Sequence, residues 1–306
     1  MVSPIIIIMQ NSKLLILGLL ALSAFGADDG QFTITVDGQD QQVYLTSSSG
    51  DKQYITVNGK SFSMHGGGRC YISKSPGDTL TPDTYEGFSL LGKSVQYDVD
   101  LSNVPCSCNS AFYTSKMPGY DWNQNPDPTQ GGDYYCDANK VGGEYCPEMD
   151  ILESNKYTMA VTPHTCNAPN GKHYDWCDGA GCGQNIYYSN PNAMCPEDRC
   201  TINTQRAFTM KTSFKESNGQ LSGISVELNQ EGRNFQFDSC NRSDYLQTMG
   251  GQLDGMVFVA SLWGNSYGTM SWLDGMTGCS GDCNLSAASA TYSNVQVNSI
   301  SSQETQ

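Results

Sequence analysis

Residues 146–166 read CPEMDILESNKYTMAVTPHTC, and the reading of this stretch decides the fold. Glu148, Asp150 and Glu153 form the pattern Glu-x-Asp-x-x-Glu, with apolar Met149, Ile151 and Leu152 between them. Acids interleaved with large apolar side chains predict a β-strand rather than a charged helix. Residues two apart in a strand share a face, so Glu148 and Asp150 point the same way and Glu153 has the wrong parity. One extra residue, a β-bulge near 151–152, turns Glu153 onto that face, and bulges often re-aim side chains at active sites. An acidic cluster on a strand is more often a solvated face, but a solvated edge rarely needs apolar spacers and a cysteine on either side.

With the bulge, the Cα atoms of Glu148 and Glu153 stand about 13 Å apart at about 3.3 Å per residue. Two glutamates leaning together from there can bring their carboxyls to about 5–5.5 Å. That is the spacing at which one carboxylate attacks a sugar carbon while the other protonates the leaving oxygen.

The rest of the chain describes an exported β-protein. Asn11-Ser12-Lys13, the apolar run Leu14–Leu22 and the small residues Ser23-Ala24-Phe25-Gly26 have the layout of a secretory signal peptide over residues 1–26. The apolar run is short for a membrane span. Thirteen cysteines agree with an oxidising compartment and, being odd in number, leave one thiol unpaired. The formal charge of −15 argues against nucleic acid or anionic membrane as partner and suits a neutral polymer. Asn241 and Asn284 open N-glycosylation sequons.

Short alternating runs predict strands at 32–36, 43–45, 54–57, 94–101, 111–117, 207–214, 224–228, 256–263, 269–273 and 290–297. Helix signals are nearly absent, so the expected fold is an all-β sandwich of two antiparallel sheets. Residues 27–306 read as one catalytic domain, with 299–306 as a disordered tail. The stretch 118–200 is rich in Gly, Asn, Asp, Pro and Cys, and reads as long, stapled loops.

Two other enzyme signals fail. Gly264-Asn-Ser266-Tyr-Gly268 has the nucleophile-elbow spacing and His65-Gly-Gly-Gly68 resembles an oxyanion loop, but no histidine follows Ser266. His164-x-Cys166, Cys177-x4-Cys182 and Cys195-x4-Cys200 lack the paired close spacing of structural zinc. Trp263 and Trp272 can be core residues or platforms on which pyranose faces stack.

Together the motifs EMDILESN (148–155) and TPHTC (162–166) resemble the active-site strand of glycoside hydrolase family 7, the cellobiohydrolases and endoglucanases. The likeness extends through YEGFSLLG (85–92), YDVDLSNVPC (97–106), CDGAGC (177–182), MVFVASLW (256–263), MSWLD (270–274) and ATYSNV (290–295). It does not place residues 28–63. The resemblance implies a β-jelly roll with a concave substrate groove, and a retaining endo-β-1,4-glucanase with no metal or organic cofactor. A β-1,3- or mixed-linkage glucanase and a non-catalytic glucan-binding protein are the alternatives. It further implies a secreted monomer whose partner is the β-glucan.

Carried over residue by residue, Glu148 is the nucleophile and Glu153 the acid/base. Asp150 hydrogen-bonds Glu148, and His164 assists near the acid/base. Asn109 and Tyr113 stand beside the nucleophile; Tyr135, Asp137 and Asn139 contact sugar; Trp263 and Trp272 stack on it; Arg69 lines the cleft. By the same analogy the disulfides are Cys136–Cys146, Cys177–Cys182, Cys166–Cys195 and Cys200–Cys240, with Cys106 bound to Cys279 or Cys283. Cys70 and Cys108 have no family counterpart. Only nine residues separate Cys136 from Cys146, where the family carries a long loop over the substrate. The arginines expected on the product side are also missing. Both departures imply an open groove and internal cleavage.

Overall fold

The computed structural model describes residues 30–47, 50–77 and 79–301, so the expected signal peptide lies outside the described residues. The strands in chain order are β1 (Gln31–Val36), β2 (Gln39–Thr46), β3 (Ile55–Asn58), β4 (Ser61–His65), β5 (Gly68–Ser73), β6 (Gly87–Phe88), β7 (Lys93–Asn103), β8 (Cys108–Ser115) and β9 (Glu148–Asn155). They continue with β10 (Thr158–His164), β11 (Gln184–Asn185), β12 (Met194–Cys195), β13 (Ile202–Asn203), β14 (Phe208–Ser217), β15 (Gln220–Gln230), β16 (Arg233–Asp238), β17 (Met256–Gly264) and β18 (Ser289–Ser299). Hydrogen bonding runs continuously in the order β11-β10-β9-β8-β17-β5-β2-β1-β18-β7-β14-β15-β16. The pairs are antiparallel except β1 with β18. The sheet folds back on itself as a jelly roll, which agrees with the all-β expectation.

Strand parity divides the side chains. Phe112 and Phe258, on β8 and β17, stack at 5.4 Å; Phe112 also meets Tyr292 of β18 at 5.3 Å and Tyr97 of β7 at 4.9 Å. These rings join the two layers, and all four are buried. Residues of the opposite parity face the concave side. Across it, Ser261 of β17, Ala111 of β8, Glu153 of β9 and Ala160 of β10 lie in register.

The bulge is where the carboxylate spacing requires it. Thr162 pairs with Asp150 and Ala160 with Glu153, two residues on β10 against three on β9; Thr114–Phe112 against Met149–Leu152 shows the same shift on the other side. Ile151 and Leu152 are both fully buried in the core. Burying these two neighbours is what reverses the parity of Glu153.

Several expectations need correction. Residues 269–273 are not a strand: Ser271–Asp274 form a short helix, α3, because Met270 and Leu273, three apart, both pack on Ala160. Two further helices occur, α1 (Ile186–Ser189) and α2 (Ser243–Gly250), the latter burying Tyr245, Leu246 and Met249. Residues 28–63, unplaced by the resemblance, supply β1 to β4 and bury Phe32, Ile34, Val43 and Phe62. Ser299 is no tail residue. It ends β18, its amide bonds Asp37 and its hydroxyl accepts from Lys93. Residues 302–306 lie outside the described residues.

The disulfides are Cys106–Cys279, Cys108–Cys283, Cys136–Cys146, Cys166–Cys177, Cys182–Cys240 and Cys195–Cys200, with Cys70 free and buried. Cys136–Cys146 and the Cys106 bond match expectation, whereas Cys177–Cys182, Cys166–Cys195 and Cys200–Cys240 do not form. Cys166 and Cys177 face each other across a β-bridge, so their bond closes a hairpin. Cys195 and Cys200 close a tight loop with Cα atoms 5.7 Å apart, which leaves Cys182 for Cys240. Every cysteine of the rejected zinc patterns is thus in a disulfide.

Phe112→Ala removes the ring shared by both layers. It should lower unfolding free energy by about 3–5 kcal/mol, measured by the shift in denaturant midpoint.

Candidate active site

The concave face holds a cleft of about 840 Å³. Glu148, Asp150 and Glu153 open into it from β9, and Thr162 and His164 from β10. Ala111 and Ser261 form a floor of small side chains in register with Glu153. At one end the concave face is filled by Tyr71, Tyr85, Tyr113 and Tyr135, at the other by Met270 and Leu273. The cleft is what remains between.

Each acid has its own support. Asn109, directly opposite Trp263 in the β8–β17 pairing, donates from Nδ2 to Glu153 Oε1 at 2.9 Å. Its own Oδ1 accepts the Ser154 amide at 2.9 Å, which fixes which end of the amide faces Glu153. Glu148 Oε2 accepts the backbone N–H of Ala138 at 2.9 Å. Asp150 Oδ2 bonds His164 Nε2 at 2.9 Å, and His164 Nδ1 bonds the Asp178 carbonyl at 2.9 Å. A carbonyl only accepts, so Nδ1 carries a proton. With Asp150 at Nε2, the ring is built to hold two protons and a positive charge.

Two expected contacts are therefore redirected. The hydrogen bond of Asp150 runs to His164, not to Glu148, because Asp150 stands opposite Thr162 on β10, two residues from His164 on the same face. Asn109 stands on the acid/base candidate Glu153 rather than beside Glu148, since it lies two residues along the same face from Ala111, which is level with Glu153, and six from Ser115, which is level with Glu148.

Burial and the neighbouring charge of Asp150 push the Glu153 carboxyl up to about 8; the opposing pulls of His164 and Asn109 are smaller. Burial, Asp150 and the nearby charge of Asp137 raise Glu148 as well, while His164 and the Ala138 N–H favour its anion. Burial pulls His164 down, but the bond to Asp150 and the charges of Asp150 and Glu148 outweigh it and lift the ring to about 10. This group of three carboxyls and one imidazole, all buried except the half-buried Glu153, thus keeps its charge low by raising both glutamates and holding a cation on His164.

Arg69, Tyr113, Tyr135, Asp137, Asn139, Trp263 and Trp272 all line the cleft. Trp263 and Trp272 are 45% and 44% exposed, so one face of each indole is open to a ligand. Tyr113 and Tyr135 are nearly closed off and bond each other through their hydroxyls at 2.9 Å. The Arg69 guanidinium lies 3.5 Å from the Tyr135 ring centroid and reaches Asp133 at 3.4 Å. Asn139 is exposed at the rim. Both sequon residues, Asn241 and Asn284, are exposed on the surface.

Sequence reasoning missed Ser261, Thr162, Asp51, Ala138 and the Asp178 carbonyl. The first two could have been found by parity, Ser261 two residues before Trp263 and Thr162 two before His164. The others come from loops, where no periodicity exists to read.

A jelly-roll cleft with two buried carboxyls on one strand, beneath two half-exposed indoles, is the architecture of a glycoside-hydrolase site. Comparison with known proteins agrees. The family model for glycosyl hydrolase family 7 matches residues 31–142 and 139–241. Endoglucanase EG-1 of Trichoderma longibrachiatum is 36% identical over 298 residues, covering 86% of this chain and 60% of that protein. The native endocellulase EGI of Humicola insolens shares the fold, with a TM-score of 0.70 at 24% identity over 90% of this chain and 97% of that one. An endoglucanase I complexed with cellobiose superposes with a TM-score of 0.72 at 20% identity, over 89% and 97%. The chain belongs to glycosyl hydrolase family 7. It spans about 60% of the length of the curated relatives it matches.

Glu148, Glu153 and His164 all take up protons on folding, so what these three groups contribute to stability is largest in acid. The Glu153 contribution is complete below its unfolded value of 4.5 and lost as pH rises to about 8; that of His164 is complete below 6.5 and lost as pH rises to about 10. Urea midpoints should therefore fall between about pH 5 and 10. Glu153→Gln should flatten the lower part of that curve and His164→Asn the upper part.

Proposed function

We propose that this protein is a secreted, endo-acting β-1,4-glucanase that cleaves with net retention. Glu153, protonated, gives its proton to the leaving glycosidic oxygen while Glu148 attacks the anomeric carbon and forms a glycosyl–enzyme ester. Glu153, now a carboxylate, takes a proton from the water that releases the sugar and returns to its starting state. The Asp150 charge helps keep Glu153 protonated, while His164 and the Ala138 N–H favour the Glu148 anion that attacks. Trp263 and Trp272 stack the glucosyl rings on either side of the cleaved bond.

The observation that carries this reading is the bulged strand β9, which aims two carboxyls of opposite sequence parity into one cleft and leaves Glu153 titrating near 8. Internal cleavage is supported by the nine-residue Cys136–Cys146 loop, too short to roof the cleft. The curated relatives quoted are named endoglucanases. Among the described residues, no helix is long and apolar enough to cross a membrane.

Glu148→Gln should abolish release of reducing ends from carboxymethylcellulose while the variant still folds and binds glucan. Glu153→Gln should lose about 10²–10⁴ in rate on the same polymer, yet retain far more activity on an aryl cellobioside whose leaving group needs no proton. Wild-type-like turnover by Glu148→Gln would overturn the assignment. In the wild type, kcat/KM should fall as pH rises through about 8, because the acid is then ionised. A panel of carboxymethylcellulose, laminarin, lichenan and xylan, with product lengths read out, tests linkage and internal cleavage together.

A further inference from the structure

Asp137 lines the cleft, and the family resemblance makes it a sugar contact, but one oxygen of its carboxylate is taken by its own loop. Its Oδ1 accepts the backbone amides of Asn139 at 2.9 Å and Val141 at 3.0 Å. Its own carbonyl accepts the Cys146 amide at 3.0 Å. Asp137 therefore ties off both the turn that follows it and the far end of the disulfide-closed loop. Ser115, opposite Glu148 on the sheet, holds the start of the loop by donating its hydroxyl to the Cys136 carbonyl at 2.5 Å. Gly142 lets the loop return: a Cβ there would stand 2.3 Å from the Tyr135 carbonyl oxygen. The residue this framework delivers to the cleft is Ala138, buried, with its N–H on Glu148 Oε2 at 2.9 Å.

We infer that Asp137 is a positioning residue. It shapes the Cys136–Cys146 loop so that the Ala138 N–H meets the nucleophile Glu148, and it does so through the backbone rather than by gripping sugar. Ala138 brings no side-chain donor, so the peptide N–H is what the loop contributes to Glu148, and the turn geometry sets its aim. A fixed donor on the attacking carboxylate holds the reactive oxygen in place and favours the anion over the acid.

The inference rests on Glu148 being the nucleophile, and the test keeps the two apart. Kinetics on a soluble cello-oligosaccharide are compared for wild type, Asp137→Ala, Asp137→Asn and Glu148→Gln. Asp137→Ala removes the cap and should lower kcat by about tenfold to a hundredfold, the worth of one hydrogen bond to a charged group, with KM little changed. Its acidic limb in the kcat/KM profile should lie at higher pH than that of Asp137→Asn, because both variants lose the Asp137 charge that raises Glu148 and only Asp137→Ala also loses the Ala138 donor that favours the anion. Asp137→Asn keeps an oxygen that accepts both amides and should recover most of kcat, with the acidic limb below the wild-type one because the charge that raises Glu148 is gone. A carboxylate that grips sugar predicts the opposite: Asp137→Asn would raise KM well above the wild-type value and leave kcat nearly unchanged. That result overturns the inference, even if Asp137→Ala fails to fold. If Glu148→Gln is inactive while Asp137→Ala behaves as wild type, the positioning role falls and the nucleophile stands. If Glu148→Gln is active, the catalytic reading itself falls.

Discussion

Between Asp150 and Glu153, strand β9 carries one residue more than either neighbour, and both Ile151 and Leu152 are driven into the core. Water is the cause: two consecutive large aliphatic side chains cannot alternate across a strand without exposing one, and exposing a Leu or Ile costs about 1.5–3 kcal/mol. The backbone yields instead, and the acid that follows changes face. The catalytic geometry is in this sense a by-product of core packing. Phe112, whose ring joins the layers, is the register partner of Leu152, so the sheet that buries the bulge also holds β8, with Asn109, against it.

Once three carboxyls share one cleft, electrostatics dictates the rest. Their mutual repulsion is relieved in two ways, by a cation on His164 and by a proton kept on Glu153. The Asp178 carbonyl takes part although it touches no acid, because by accepting from Nδ1 it leaves Nε2 turned to Asp150. Asymmetry between the two glutamates then arises from their donors, a side-chain amide on Glu153 and a backbone amide on Glu148.

The sequence made the acid strand legible because its chemistry and its period conflict: Glu148 and Asp150 agree with a pleat and Glu153 does not, and only a bulge reconciles them. Most long strands were readable from alternation for the same reason. β5 was hidden by its opening glycines, which read as a loop, and β16 by a face only half covered, since Phe235 and Phe237 are only partly buried. The 269–273 segment looked extended because Met270 and Trp272 alternate with Thr269 and Ser271, and only contact with Ala160 reveals the helical spacing of Met270 and Leu273. Disulfide partners were the least legible feature. Pairing depends on which loops meet in space, and loops shortened relative to a family no longer meet as the family's do.

The parallel pairing of β1 with β18 places the first strand of the described domain beside its last. Cys106 and Cys108, which flank the start of β8, find their partners 173 and 175 residues later. An emerging chain can therefore complete neither the sheet nor these two cross-links until almost all of it has been made. Until then β8, which carries Asn109, lacks its neighbour β17. Assembly of the cleft waits for β17 and the later cysteines, and is dominated by distant contacts that close slowly. Such a molecule depends for its maturation on whatever shields its unpaired strands and thiols during that interval.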